Sequence, residues 1–167
     1  MDRVRHWPVA ALVALALTAT ACSGSDGNEI GEGSSNDVAP CPVDALDSAM
    51  GSTEVVLWYQ LAGKAAETLE NMVAEYNASQ SKVRVRAELQ GASYDELLNA
   101  YEQAIPSGQL PDILVAEDTA TQFLIDSGTV LPAQACFDAD GVSTDDFVPA
   151  AVNHYSVDGV LWPGTVS

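Results

Sequence analysis

The chain is 167 residues long, room for one ordinary domain. Its 47% hydrophobic content can build a core, and 18% charged residues are too few for wholesale disorder. The net charge is −18, from 24 acidic and 6 basic residues, so the surface repels phosphate backbones and anionic lipid and offers nucleic acid no basic stripe.

Residues 1–22 read as a leader. Arg3 and Arg5 form a positive start, and Val9 to Leu17 is an unbroken apolar run. That run is too short for the ~30 Å of a bilayer core, which takes about 20 residues. Ala19-Thr20-Ala21-Cys22 follows, then Ser23-Gly24-Ser25. This resembles a bacterial lipobox, in which the cysteine is lipidated after cleavage; an ordinary secretory signal with a chance cysteine is the alternative. Cleavage removes two basic residues against one acidic, Asp2, and leaves the chain more acidic still. Residues 23–40 are dominated by Gly, Ser, Asn and acid, the composition of a disordered tether. The folded part is expected over 41–167.

With Cys22 lipidated, Cys41 and Cys136 remain in an oxidising compartment, where a disulfide is the natural pairing; two free thiols are the alternative. Zinc is not expected, because the mature chain holds one histidine, His154, and no CxxC. No other metal or cofactor is implied.

From Glu54 the pattern alternates strand and helix. Val55 to Tyr59 is a run of strand formers. Residues 63–79 carry Ala66, Leu69, Met72, Val73 and Tyr76 at the spacing of one helical face. Val83 to Ala87 alternates apolar and basic, as a half-covered strand does. Ser93 opens a second helix, with Glu96 completing a capping box and Leu97, Leu98, Tyr101, Ala104 and Ile105 facing inward. Pro111-Asp112 leads into a strand over Ile113-Leu114-Val115, and a short helix over 121–127 ends at Gly128. This alternation predicts an α/β fold with parallel strands and right-handed crossovers. Ligands of such sheets sit beyond the carboxyl ends of the strands, here Trp58-Tyr59-Gln60, Glu88 to Gly91 and Ala116-Glu117-Asp118. Aromatic faces beside carboxylates and amides suit a polyhydroxylated small molecule, with Trp58 and Asp118 among the candidate contacts. Core packing is the competing role for Trp58 and Tyr59.

The lipobox, the tether, Val56-Leu57-Trp58, LENMVAEYN from Leu69, GASYDELL from Gly91, SGQLPDILV from Ser107, DSGTVL from Asp126 and DFVPAAVNHYSVDG from Asp146 occur in that order. Together they resemble the bacterial extracellular solute-binding proteins, family 1, of carbohydrate ABC importers, nearest the glycerol-3-phosphate and glycerophosphodiester binders. The resemblance implies one parallel-sheet lobe of a two-lobe periplasmic-binding-protein-like fold, ending at Ser167 before the first hinge strand. It also implies ligand contacts from Tyr94, Glu117 and Ser167. Around Ser167 the pattern departs: Leu161-Trp162-Pro163 is compressed, and Gly164 stands where an aromatic is usual. The implied function is non-enzymatic capture of a sugar, glycerol-3-phosphate or glycerophosphodiester by a monomer anchored through lipid to the outer face of the cytoplasmic membrane. Its partners would be ABC permease subunits.

Rival classes leave weaker marks. There is no G-x-S-x-G and no H-E-x-x-H for a hydrolase, and Ser79-Gln80-Ser81-Lys82 falls at a helix end, not a helix start. Asp138-Ala139-Asp140-Gly141 is expected to be a solvated turn, since its glycine is misplaced for a calcium loop. His154 reads as a structural or surface histidine. A lipid-anchored interaction module that ignores small molecules is the alternative to the receptor.

Overall fold

The computed structural model of the protein describes residues 39–164; the leader, Cys22, nearly all of the tether and Ser167 lie outside the described residues. Three parallel strands carry the architecture: β1 (Thr53–Tyr59), β2 (Val83–Leu89) and β3 (Ile113–Leu114), in the spatial order β2-β1-β3. The expected α/β fold with a parallel sheet is therefore present. β1 lies in the middle, with Trp58 opposite Glu88 on one side and Leu114 on the other. Its apolar run suits a strand covered on both faces, and Leu57 and Tyr59 are buried.

β3 is shorter than its sequence suggests. Pro111 has no N–H, and the ladder is completed around the strand instead: Asp112 N–H donates to the Val56 carbonyl at 2.9 Å, and Val115 N–H to that of Trp58 at 2.9 Å. The Asp112 carboxylate also accepts from Val56 N–H at 2.8 Å. A side chain thus supplies the acceptor that a longer strand would have provided.

Helix α1 (Lys64–Ser79) joins β1 to β2, and α2 (Tyr94–Ala104) joins β2 to β3. They cover opposite faces. Tyr59 donates its hydroxyl to Glu70 on α1 at 2.7 Å, whereas Leu114, the register partner of Trp58, lines a hollow with Leu97 and Leu98 of α2. Trp58 and Tyr59 are consecutive and so point to opposite faces. The Glu70 acceptor, then burial, then the charge of Glu70 push the Tyr59 phenol above its usual range.

The face of α1 is rotated from the expected one. Ala66, Leu69 and Val73 are half-buried as predicted, but Met72 and Tyr76 are 62% and 46% exposed. The cause is polar: the Asn77 amide clips the Val85 backbone through N–H···Oδ1 and Nδ2–H···O bonds of 2.8 Å each. Together with Tyr59–Glu70, this turns the stripe toward Glu70 and Asn77, a rotation that apolar spacing does not register. In α2, Leu97 and Tyr101 are buried as expected. The Tyr101 hydroxyl shares a 2.7 Å bond with Thr129, which bonds Ser127 at 2.7 Å, so the stretch after α3 (Thr121–Asp126) satisfies a buried phenol.

Beyond α3, the elements were not anticipated in detail. Helices α4 (Ala133–Asp140) and α5 (Pro149–Tyr155) precede an antiparallel hairpin of β4 (Ser156–Val157) and β5 (Val160–Leu161). Its turn residues, Asp158 and Gly159, have φ of 53° and 80°, the left-handed pair that an Asp-Gly hairpin turn requires. Asp138-Ala139-Asp140 is the last turn of α4 and not a free turn, and Gly141 ends that helix at φ 68°. No helix among the described residues is long and apolar enough to cross a membrane.

A disulfide joins Cys41 to Cys136 on α4, with Cα atoms 4.9 Å apart across 95 residues. Closing a loop of that length restricts the unfolded chain by about 4–5 kcal/mol in the chain-entropy model. Reduction, or Cys41→Ser, is accordingly expected to lower the urea midpoint of unfolding strongly. Coincident unfolding curves with and without dithiothreitol would contradict this.

Candidate ligand-binding site

The carboxyl end of β3 and the first turn of α2 frame a shallow, open hollow. Its floor is apolar: Leu97 and Leu98 from α2, with Leu114 and Ala116 from the end of β3. Polar groups stand on the rim, namely Tyr94 and Asp95 on one side and Glu117 and Thr119 on the other. Tyr94 and Glu117, 23 positions apart in the chain, thus line one site.

The turn bearing Tyr94 is locked from three directions. Gln90 N–H donates to the Tyr59 carbonyl at 2.9 Å, and Gln60 Nε2 to that of Ala92 at 2.8 Å, tying the loop to the end of β1. Ser93 caps α2, its Oγ accepting from Glu96 N–H at 3.2 Å. Glu96 reaches back, but its Oε2 accepts from Ala92 N–H at 2.7 Å, one residue before the cap. That variant of the capping box needs Gly91. At φ 77°, a Cβ on Gly91 would fall 2.5 Å from Glu96 Cβ.

Glu117 is held differently. It precedes a single 3-10 turn over Asp118–Ala120, closed by Ala120 N–H to the Glu117 carbonyl at 3.1 Å. Thr119 Oγ1 donates to Glu117 Oε2 at 3.2 Å. Glu117 remains exposed, so its carboxylate is oriented yet accessible to hydroxyl donors.

The other sequence candidates lie elsewhere. Trp58 is absent from the lining; its indole Nε1 donates to Glu88 Oε2 at 2.8 Å, and Glu88 also contacts Arg86. Asp118 is likewise outside the lining and faces His154, with Oδ2 3.7 Å from Nε2. Ser167 and Cys22 lie outside the described residues. Sequence reasoning missed Asp95 and Thr119, although each adjoins a predicted contact, Tyr94 directly and Glu117 two residues on. No cluster of three or more His, Cys, Asp or Glu suited to a metal occurs among the described residues.

Because the capping box sets the site, Ser93→Ala should cost about 1 kcal/mol. Gly91→Ala should cost more, since it adds a Cβ collision to an unfavourable φ. Equilibrium unfolding of the two variants ranks them, and a milder effect for Gly91→Ala would refute this account of the turn.

No protein-family model matches the chain. The sn-glycerol-3-phosphate-binding periplasmic protein UgpB of Rhizobium meliloti (strain 1021) is 31% identical over 111 residues, covering 65% of this chain and 26% of the relative. Among solved structures, the cyclic alpha-maltosyl-1,6-maltose binding protein of Arthrobacter globiformis superposes with a TM-score of 0.55 at 28% identity, covering 66% of this chain and 27% of that one. An extracellular solute-binding protein family 1 member from Alicyclobacillus acidocaldarius gives a TM-score of 0.59 at 14% identity, over 68% of this chain and 28% of that one; it supports the fold alone. The chain spans about a quarter of the length of the relatives it matches. Over about two thirds of its own length, the chain is similar in sequence to this glycerol-3-phosphate-binding periplasmic protein and in α/β fold to part of these solved binding proteins.

Proposed function

We propose that the chain supplies one wall of the solute site in the receptor component of an ABC importer. The receptor captures a sugar or a glycerol-3-phosphate-like solute outside the membrane and delivers it to permease subunits. The observation that carries this reading is the meeting of Tyr94 and Glu117 at one hollow beyond the strand ends, the place an α/β sheet offers to ligands. Tyr94 can cover an apolar C–H face, and Glu117 can accept hydroxyls. Similarity to proteins named for binding glycerol-3-phosphate and a maltosyl maltose supports the role and favours binding over catalysis. In the whole receptor a second lobe closes over the hollow.

The test is saturation-transfer NMR on the chain with maltose and with sn-glycerol-3-phosphate at millimolar concentration. At least one should receive saturation, and Tyr94→Ala and Glu117→Gln should each weaken it about tenfold or more, the cost of one charge-assisted bond or stacking contact. Silence from both solutes would sink the reading of this hollow as a wall that contacts the solute.

The same proposal covers the first forty residues: leader over 1–22, tether over 23–40, and partial lobe from 41 onward, held to the outer face of the membrane through lipid on Cys22. The lipobox-like Ala19-Thr20-Ala21-Cys22 supports it. Expressed in a host with lipoprotein processing, the chain should partition into detergent on phase separation, and Cys22→Ala should send it to the aqueous phase. Equal partitioning of the two would remove the anchor.

A further inference from the structure

β2 stands at the end of the described sheet, in the order β2-β1-β3. Thr53 N–H donates to the Lys82 carbonyl at 2.8 Å and Gln90 N–H to that of Tyr59 at 2.9 Å, so the even-numbered residues of this segment face β1. The backbone groups of Val83, Val85, Ala87 and Leu89 therefore point away from the sheet. Side-chain amides take the first two of these. Asn77 accepts from Val85 N–H through Oδ1 and donates from Nδ2 to the Val85 carbonyl, both at 2.8 Å. Gln80 treats Val83 alike, its Oε1 accepting from the N–H at 2.8 Å and its Nε2 donating to the carbonyl at 2.6 Å. Lys82 N–H shares that Oε1 at 2.8 Å, which fixes the Gln80 side chain. Each amide offers a donor and an acceptor side by side, as the backbone of a neighbouring strand would.

What the clips keep out is legible in the strand itself. Val83-Arg84-Val85-Arg86-Ala87-Glu88-Leu89 is self-complementary when two copies run antiparallel about Arg86. Arg84 of one copy then stands opposite Glu88 of the other. On the opposite face Val85 meets Ala87, and Val83 meets Leu89, whose side chain is 58% exposed. Arg86 meets its own counterpart, but Glu54 and Glu88 already contact it. In this register the hydrogen-bonded pairs are Val85 with Ala87 and Val83 with Leu89. Every such pair includes a residue that Asn77 or Gln80 already occupies, so the amides close the whole interface and not one end of it. A strand edge with its N–H and C=O groups unclaimed is a template for pairing with another chain.

We propose that the outer edge of β2 is a latent pairing surface for a second copy of this chain, held shut by the Asn77 and Gln80 amides. Amide hydrogen exchange of the unaltered chain tests the clips. Val83 and Val85 should exchange at least about tenfold more slowly than Ala87 and Leu89, because only the first pair donates to a side chain. Sedimentation at rising concentration tests what the clips prevent. The unaltered chain should stay monomeric, and Asn77→Ala with Gln80→Ala should form a dimer. Adding Ala87→Pro removes an N–H that faces outward and should restore the monomer. Adding Arg84→Glu instead sets like charges opposite Glu88 and should weaken the dimer about tenfold. If the double variant loses its fold, Asn77→Ala alone, which frees the central Val85–Ala87 pairs, takes its place with the same expectations. Equal exchange at all these amides would overturn the clips. A folded variant that stays monomeric, association that Ala87→Pro leaves unchanged, or an unaltered chain that already dimerises through this edge would each overturn the proposal.

Discussion

The structure depends on β1 being paired on both edges. A parallel strand flanked on each side has its backbone groups satisfied and both faces available for burial, which the run Val55 to Tyr59 can supply and few other segments of this acidic chain can. The chain leaves β1 for β2 on one side and then crosses over β1 to reach β3 on the other. That reversal places α1 and α2 on opposite faces and opens a crevice beyond the strand ends. Short as β3 is, the Asp112 side chain and the flanking N–H groups hold it to β1, so the crevice has two walls.

Capping shapes the rim of the crevice. Gly91, Ser93 and Glu96 set the first turn of α2 and so deliver Tyr94 and Asp95 to the rim, and the Asp118–Ala120 turn delivers Glu117 with Thr119 bonded to it. Gln60 and Tyr59 at the end of β1 pin the loop between them. Sheet and rim are therefore mechanically coupled, since the residues that end β1 also fix the turn that carries Tyr94.

The Cys41–Cys136 disulfide serves a different purpose. It ties the segment before β1 to α4, across most of the described chain, and acts mainly on the unfolded state. Phe137, one residue from Cys136, packs edge-on against Phe147 with ring centroids 6.1 Å apart. This part of the chain is thus held by a covalent tie and an aromatic pair, together with backbone bonds such as Ala133 N–H to the Trp162 carbonyl at 3.0 Å.

Local pattern by itself determined the elements whose signal is local. Runs of β-branched and aromatic residues marked β1 and β2, and Ser93 with Glu96 marked the start of α2, because propensity and capping act over a few residues. The resemblance of the motifs paired Tyr94 with Glu117, and both line the hollow. The Asp158-Gly159 dipeptide is likewise a local signal for the hairpin turn. Tertiary structure decided what depends on distant partners. Asn77 and Glu70 rotated α1 away from its apolar stripe, so Met72 and Tyr76 face solvent. Glu88 drew Trp58 away from the hollow, and Asp118 turned to His154. Asp95 and Thr119 line the hollow only because two turns far apart in sequence meet beyond the end of β3. A polar side chain is directed by the partner that satisfies it, and that partner is set by the fold and not by the residue's neighbours in sequence.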